Sequence, residues 1–153
     1  MCRRCLTTLF LILATAAPAS AERPRPLAWA MDAMRDGNWE RAAKIAARDG
    51  DVAADVIEWA RLRAGQGSYA DVIAFLERRP DWPGEPYLRK QSERVVIAQK
   101  DTQVLAFFGQ MDAQTPEGVL RHAAALSRTN AQADADALIV KAWRELPMGS
   151  TAQ

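Results

Sequence analysis

Only two cysteines, Cys2 and Cys5, occur in the 153 residues, and both precede the uncharged apolar stretch at 6–17. A chain that loses that stretch keeps no thiol, which excludes a disulfide framework and any thiolate zinc site. No cysteine follows the stretch to carry a lipid. Histidine is scarcer still: His122 stands alone, so a Ser-His-Asp arrangement has little to rest on and a structural or surface role is the plainer account. Glycine forms no phosphate loop, because Gly65, Gly67 and Gly84 fall in expected helix-to-helix turns; nucleotide binding has no support and no cofactor is implied. An apolar run of the about 20 residues that span a bilayer is also missing, so no membrane association is expected once 6–17 is removed. Charge of one sign is lacking too. The 20 basic side chains face 19 acidic ones, and without Arg3 and Arg4 the balance is 18 against 19, which favours neither nucleic acid nor an anionic membrane.

What the first 21 residues do contain is an address. Arg3 and Arg4 precede the apolar stretch, which is followed by Pro18 and the small-residue pattern Ala19-Ser20-Ala21. This is the order of a cleavable signal peptide, so residues 1–21 are expected to direct export and residues 22–153 to form the mature domain. About 132 residues remain, enough for one moderate domain or a short helical array.

β-branched residues never form an alternating run, and apolar residues recur at helical spacing, so the class is all-α. The spacing predicts helices over 26–35, 39–48, 52–64, 69–79, 85–99, 102–110, from 116 to between 127 and 130, and 131–146. Ser68 followed by Asp71 resembles a capping box, and Thr115-Pro116-Glu117 is a helix start with proline at its first position. Pro80, Pro83 and Pro86 bracket a stretch that cannot continue a helix. Predicted inward faces include Val52, Val56, Ile57, Trp59 and Ala60 on the third helix, and Ala135, Leu138, Ile139, Ala142 and Leu146 on the eighth.

The helices repeat in pairs. A shift of 30 residues lays Trp29 on Trp59, Gly37 on Gly67 and Trp39 on Tyr69, and a shift of 32 lays 72–76 on 104–108. A period near 30 with two helices per unit is the mark of an α-α superhelix or solenoid, here of about four pairs and similar to tetratricopeptide arrays. Ser150-Thr151 would cap a further helix, so the last pair is expected to leave open a face that a following repeat normally covers.

Catalytic chemistry finds few candidates. Glu58, Glu77, Glu93, Glu117 and Glu145 lie among charged neighbours on expected helices and read as solvated faces rather than as the shaped acid pair of a glycosidase. Five tryptophans could form a sugar-stacking platform, but Trp29, Trp39 and Trp59 recur at repeat positions and are better read as inter-helix packing, with Trp82 in the proline turn as the exception. Arg61, Arg63, Arg78, Arg79, Arg89 and Lys90 could form a basic edge inside a curved array, or simply solvated helix faces.

The passage 75–93, FLERRPDWPGEPYLRKQSE, resembles the N-terminal helical region of soluble lytic murein transglycosylases, where an arginine-rich, Pro-Asp-Trp-Pro, Leu-Arg-Lys passage joins two helix pairs. Residues 30–39, 54–65 and 141–144 look like further parts of that region. The resemblance implies a periplasmic protein with a curved helical scaffold that handles peptidoglycan, and it makes Trp82, Arg61, Arg78 and Arg79 the candidates for glycan or domain contact. It implies a separate lysozyme-like catalytic domain with a Glu-Ser pair, whereas this sequence has no such dipeptide. The chain is therefore expected to be non-catalytic by itself, partnering peptidoglycan and a catalytic domain encoded downstream; the alternative is a free-standing periplasmic adaptor for a protein partner.

The leader reading makes a definite prediction: N-terminal sequencing of the protein recovered from the periplasm of an expressing cell should begin at Glu22. A chain that retains Met1 and stays in the cytoplasm would overturn it.

Overall fold

The computed structural model describes residues 26–146; the expected leader and the Ser150-Thr151 cap lie outside the described residues. The fold is all-helical, with α1 (Pro26–Arg35), α2 (Trp39–Ala46), a 3-10 turn (Ala47–Asp49), α3 (Asp51–Arg63), α4 (Tyr69–Arg78), α5 (Glu85–Val96), α6 (Asp101–Phe108), α7 (Pro116–Arg128) and α8 (Gln132–Glu145). No strand occurs among the described residues. None of these helices is long and apolar enough to cross a membrane.

The starts are chemically fixed. The Ser68 hydroxyl accepts the Asp71 N–H at 3.2 Å while the Asp71 carboxylate accepts the Ser68 N–H at 3.0 Å, a complete capping box with Asp in the acidic place. The Thr115 hydroxyl accepts the Gly118 N–H at 3.1 Å, with Pro116 at the first helical position where a missing N–H costs nothing. The Asn38 side chain accepts the Arg41 N–H in the same way for α2. Pro80 and Pro83 follow the end of α4, and Gly84, at φ 82, makes the left-handed entry to α5.

Each helix packs on its successor, and the odd-numbered helices also pack in series, α1 on α3, α3 on α5 and α5 on α7. Two apolar clusters result. The smaller joins Ala30, Ala33, Ala42, Ala46, Ala53 and Ile57, small residues that let α1, α2 and α3 approach closely. The larger is built on Leu62, Val72, Phe75, Leu88, Val96, Val104, Phe107 and Phe108, with Trp59 and Trp82 packed against it.

Several expected faces turn out rotated or widened. On α3 the buried residues are Ala53, Asp55, Ile57 and Leu62, while Val52 is 66% exposed. The cause is that α3 touches α1, α2, α4 and α5, so burial spreads beyond one stripe. Trp29, read as inter-helix packing, is instead 53% exposed on α1. On α8, Ala135 and Ala142 are buried as expected, but Ile139 faces outward. Only α7 among the described helices packs extensively on α8, so a narrow alanine stripe is enough.

The largest correction concerns Glu93. It is 2% exposed rather than solvated. Its carboxylate accepts the backbone N–H groups of Gln114 at 2.6 Å and Thr115 at 2.9 Å, and also the Thr115 hydroxyl. A carboxylate on α5 thus satisfies donors at the entry to α7, where the helix dipole also favours negative charge. Burial pushes the Glu93 carboxyl above its usual range, and the bonds from Thr115 and Gln114 oppose that. The fit is close, because a Cβ on Gly118 would stand 2.3 Å from Glu93 Oε2.

Helix propensity alone favours Gly118→Ala by about 1 kcal/mol. The clash with a buried carboxylate should reverse the sign, so the variant is expected to lose about 1–3 kcal/mol in urea unfolding. An unchanged or raised midpoint would show that the Glu93 carboxylate does not hold this place.

Candidate functional site

The residues singled out by the sequence lie around the joint between α3, α4 and α5, in separate contacts. Asp55, 4% exposed on α3, is the acceptor around which α4 ends: its Oδ1 accepts Arg78 Nη2 at 2.9 Å and its Oδ2 accepts Arg79 Nε at 2.6 Å. Arg78 Nη2 also donates to Glu58 at 2.6 Å; the bond to Asp55 chiefly, with that to Glu58, raises its already high pKa against the opposing effect of burial. Two consecutive arginines on one helix end therefore clamp one buried carboxylate, and the asymmetry of exposure matters. Their side chains remain 44% and 35% exposed, so they can turn to water; Asp55 cannot, and would be left uncompensated without them.

Arg61 donates to the Gln66 carbonyl at 2.6 Å and pairs with Asp71 at 3.4 Å. The Ser68 N–H and hydroxyl, with Arg61 beside them, hold the Asp71 carboxyl below the usual range despite some burial. Trp82 stands edge-on to Phe75, ring centres 5.6 Å apart, which roots the Asp81-Trp82-Pro83 turn in the core. The guanidinium of Arg63 lies over Trp59 at 4.2 Å and over Tyr87 at 4.6 Å. Structural partners within the chain thus account for Arg61, Arg63, Arg78, Arg79 and Trp82. The structure brings Arg78 and Arg79 together on Asp55 and gives Arg61 a separate network with Asp71.

Asp55 itself escaped the sequence reading. A signal was there: Asp55 falls between Val52 and Trp59 on a helical stripe that continues to Leu62, an acid where a core residue is expected.

Beside this joint, on another face of α4, runs a half-open groove of about 660 Å³ formed with α5 and α6. Ile73, Leu76, Pro80 and Phe107 make its apolar surface, and Tyr69, Glu77, Glu85, Arg89 and Gln110 its polar positions. Arg89 donates to Glu85 at 2.7 Å and its guanidinium sits 5.2 Å from the centre of the Phe107 ring. Burial, aided by the charge of Glu77, raises the pKa of the Tyr69 phenol, which stays a neutral donor. A groove of this size and mixed lining suits ligand binding. Among the described residues no group of three or more His, Cys, Asp or Glu could hold a metal ion.

The lone histidine serves packing. His122 on α7 stacks on Phe108 of α6, ring centres 5.1 Å apart and planes 23° apart, with its Nδ1 buried and unpartnered.

Comparison with protein-family models, curated proteins and solved structures finds no match to the chain.

Burial holds the His122 imidazole below its ordinary pKa, with the Asp112 charge opposing. The unfolded chain then takes up the proton first, so this group's contribution to stability is complete above about pH 6.5 and is lost as the pH falls through that value toward the folded one. Glu93 acts with the opposite sign: its folded pKa is raised, so acidification through that value toward its unfolded value adds stability. The two are separated by comparing the protein with His122→Phe, which keeps a ring on Phe108. Between about pH 7 and 5.5 the urea midpoint of the wild type should fall relative to that of the variant. Parallel curves would show that His122 is not held neutral by burial.

Proposed function

We propose that this protein is a periplasmic, non-catalytic helical scaffold that handles peptidoglycan strands, similar to the N-terminal part of a lytic transglycosylase and acting with a catalytic domain encoded downstream. The observation that carries this reading is the place of the passage that bears the resemblance. Residues 75–93 run from the last turns of α4 through the Trp82 turn into α5, with Trp82 rooted on Phe75 and Arg78 and Arg79 clamped on Asp55. A sequence that joins two helix pairs in the family also joins helices here.

Two further facts support it. The serial packing of α1, α3, α5 and α7 is what an α-α superhelix of about four tetratricopeptide-like pairs requires. The two deeply buried acids among the described residues, Asp55 and Glu93, each already accept hydrogen bonds from the chain at both oxygens, which suits structural roles rather than that of a general acid.

A second reading, a periplasmic adaptor for a protein partner, is favoured by the exposed apolar residues of the last helix pair: Trp143 is 72% exposed, Leu120 63% and Val140 50%.

Incubation of the purified protein with peptidoglycan sacculi, followed by sedimentation, tests the choice. The scaffold should pellet with the sacculi and release no anhydro-muropeptides. Release would assign chemistry to the chain, and absence from the pellet would overturn the scaffold reading and leave the adaptor.

A further inference from the structure

We propose that the groove between α4, α5 and α6 is a docking site for a segment of a partner protein that presents a lysine or arginine beside apolar side chains. The inference does not rest on the peptidoglycan reading, because it comes from the groove's own charge and shape.

The charge of the lining is unbalanced. Arg89 is the one cation in it, and that cation is already committed: 8% exposed, hydrogen-bonded to Glu85 and lying over Phe107. Glu77 is the second carboxylate of the lining, exposed at the edge of the groove, and it has no ion pair or hydrogen bond among the described residues. Two carboxylates against one neutralised cation leave one negative charge without a partner. Beneath it the accessible apolar surface comes from Ile73, Pro80 and Ala106, laid over the nearly buried Leu76 and Phe107. A negative rim over an apolar floor is complementary to a cation carried on an apolar stem, which is the build of a lysine or arginine side chain. The aromatic face of Phe107 is already used by Arg89, so the incoming cation is met by the Glu77 carboxylate and the incoming apolar flank by the floor.

Shape decides between a small amine and a peptide. Tyr69, Ile73, Leu76 and Glu77 line the groove along two turns of α4, about 10 Å, and one side stays open to water. A small amine would remain hydrated there, whereas an extended segment of three or more residues covers the floor and places its basic residue at the rim. The neutral Tyr69 hydroxyl and the Gln110 amide supply donors and acceptors to the segment's backbone.

The test is fluorescence anisotropy of the full chain with two labelled probes, acetyl-Leu-Lys-Leu-Lys-Leu-amide and the same pentapeptide with glutamate for lysine. The lysine probe is expected to bind measurably and the glutamate probe not. Glu77→Gln, an exposed isostere, should weaken the lysine probe about three- to fivefold at low salt. Ala106→Arg, which places a competing cation on the floor from an exposed helix position, should abolish binding while the helical circular dichroism is kept. Equal binding of both probes, or unchanged affinity in Glu77→Gln and Ala106→Arg, would overturn the proposal. Displacement of the lysine probe by N-acetylglucosamine trimers with no dependence on Glu77 would overturn it as well and assign the groove to sugar.

Discussion

The carboxylate of Glu93 is the group on which the second half of the fold depends. A buried charge costs several kcal/mol unless donors surround it, and α5 carries this one to its inner face. Its donors come from the α6–α7 turn, so α7 must start where Glu93 points, with Thr115 as cap and a residue without a Cβ at position 118. Once α7 is placed, α8 follows by packing against it, and His122 comes to rest on Phe108. A single polar requirement thereby orders three consecutive helices.

Asp55 plays the matching part in the first half. It lies on α3 and collects Arg78 and Arg79 from the end of α4, just before the prolines that stop that helix. Trp82 then closes the turn by packing on Phe75. Both devices obey one rule: an acid in a helix interior is kept because it bonds to the end of another helix, and the bond sets where that end sits. α5 stands between the two, touching α3, α4, α6 and α7, and buries Arg89, Ser92 and Glu93 along with Leu88 and Val96. Polar residues on this well-connected helix fix its register beyond what apolar packing alone specifies.

The same arrangement shapes what the molecule presents to others. Arginines that could have formed a free basic edge have partners within the chain, which leaves the carboxylate of Glu77 as the unpaired charge beside the α4–α6 groove. The scaffold and docking readings thus place function in surfaces made by helix pairing rather than in a constellation of reactive groups. Trp143, Val140 and Leu120 add a second exposed surface at the last pair.

By itself the sequence determined the helices and most of their ends, because caps and breakers are local: Ser68 with Asp71, Thr115 with Pro116, and the prolines after α4 each act within a few residues. It also placed Trp82 at a turn, since three prolines around it forbid a helix. Which acids and aromatics are buried was decided only by the tertiary structure. Glu93 looks like a surface carboxylate, and Asp55 like no more than an odd acid on an apolar stripe, until the groups that donate to them, 20 or more residues away, are in place. Trp29 looks like a core residue until α1 turns alanines inward and leaves the ring in water. The groove and its unpaired charge likewise exist only between three helices, because complementarity across elements is a property of their packing and not of any one segment's pattern.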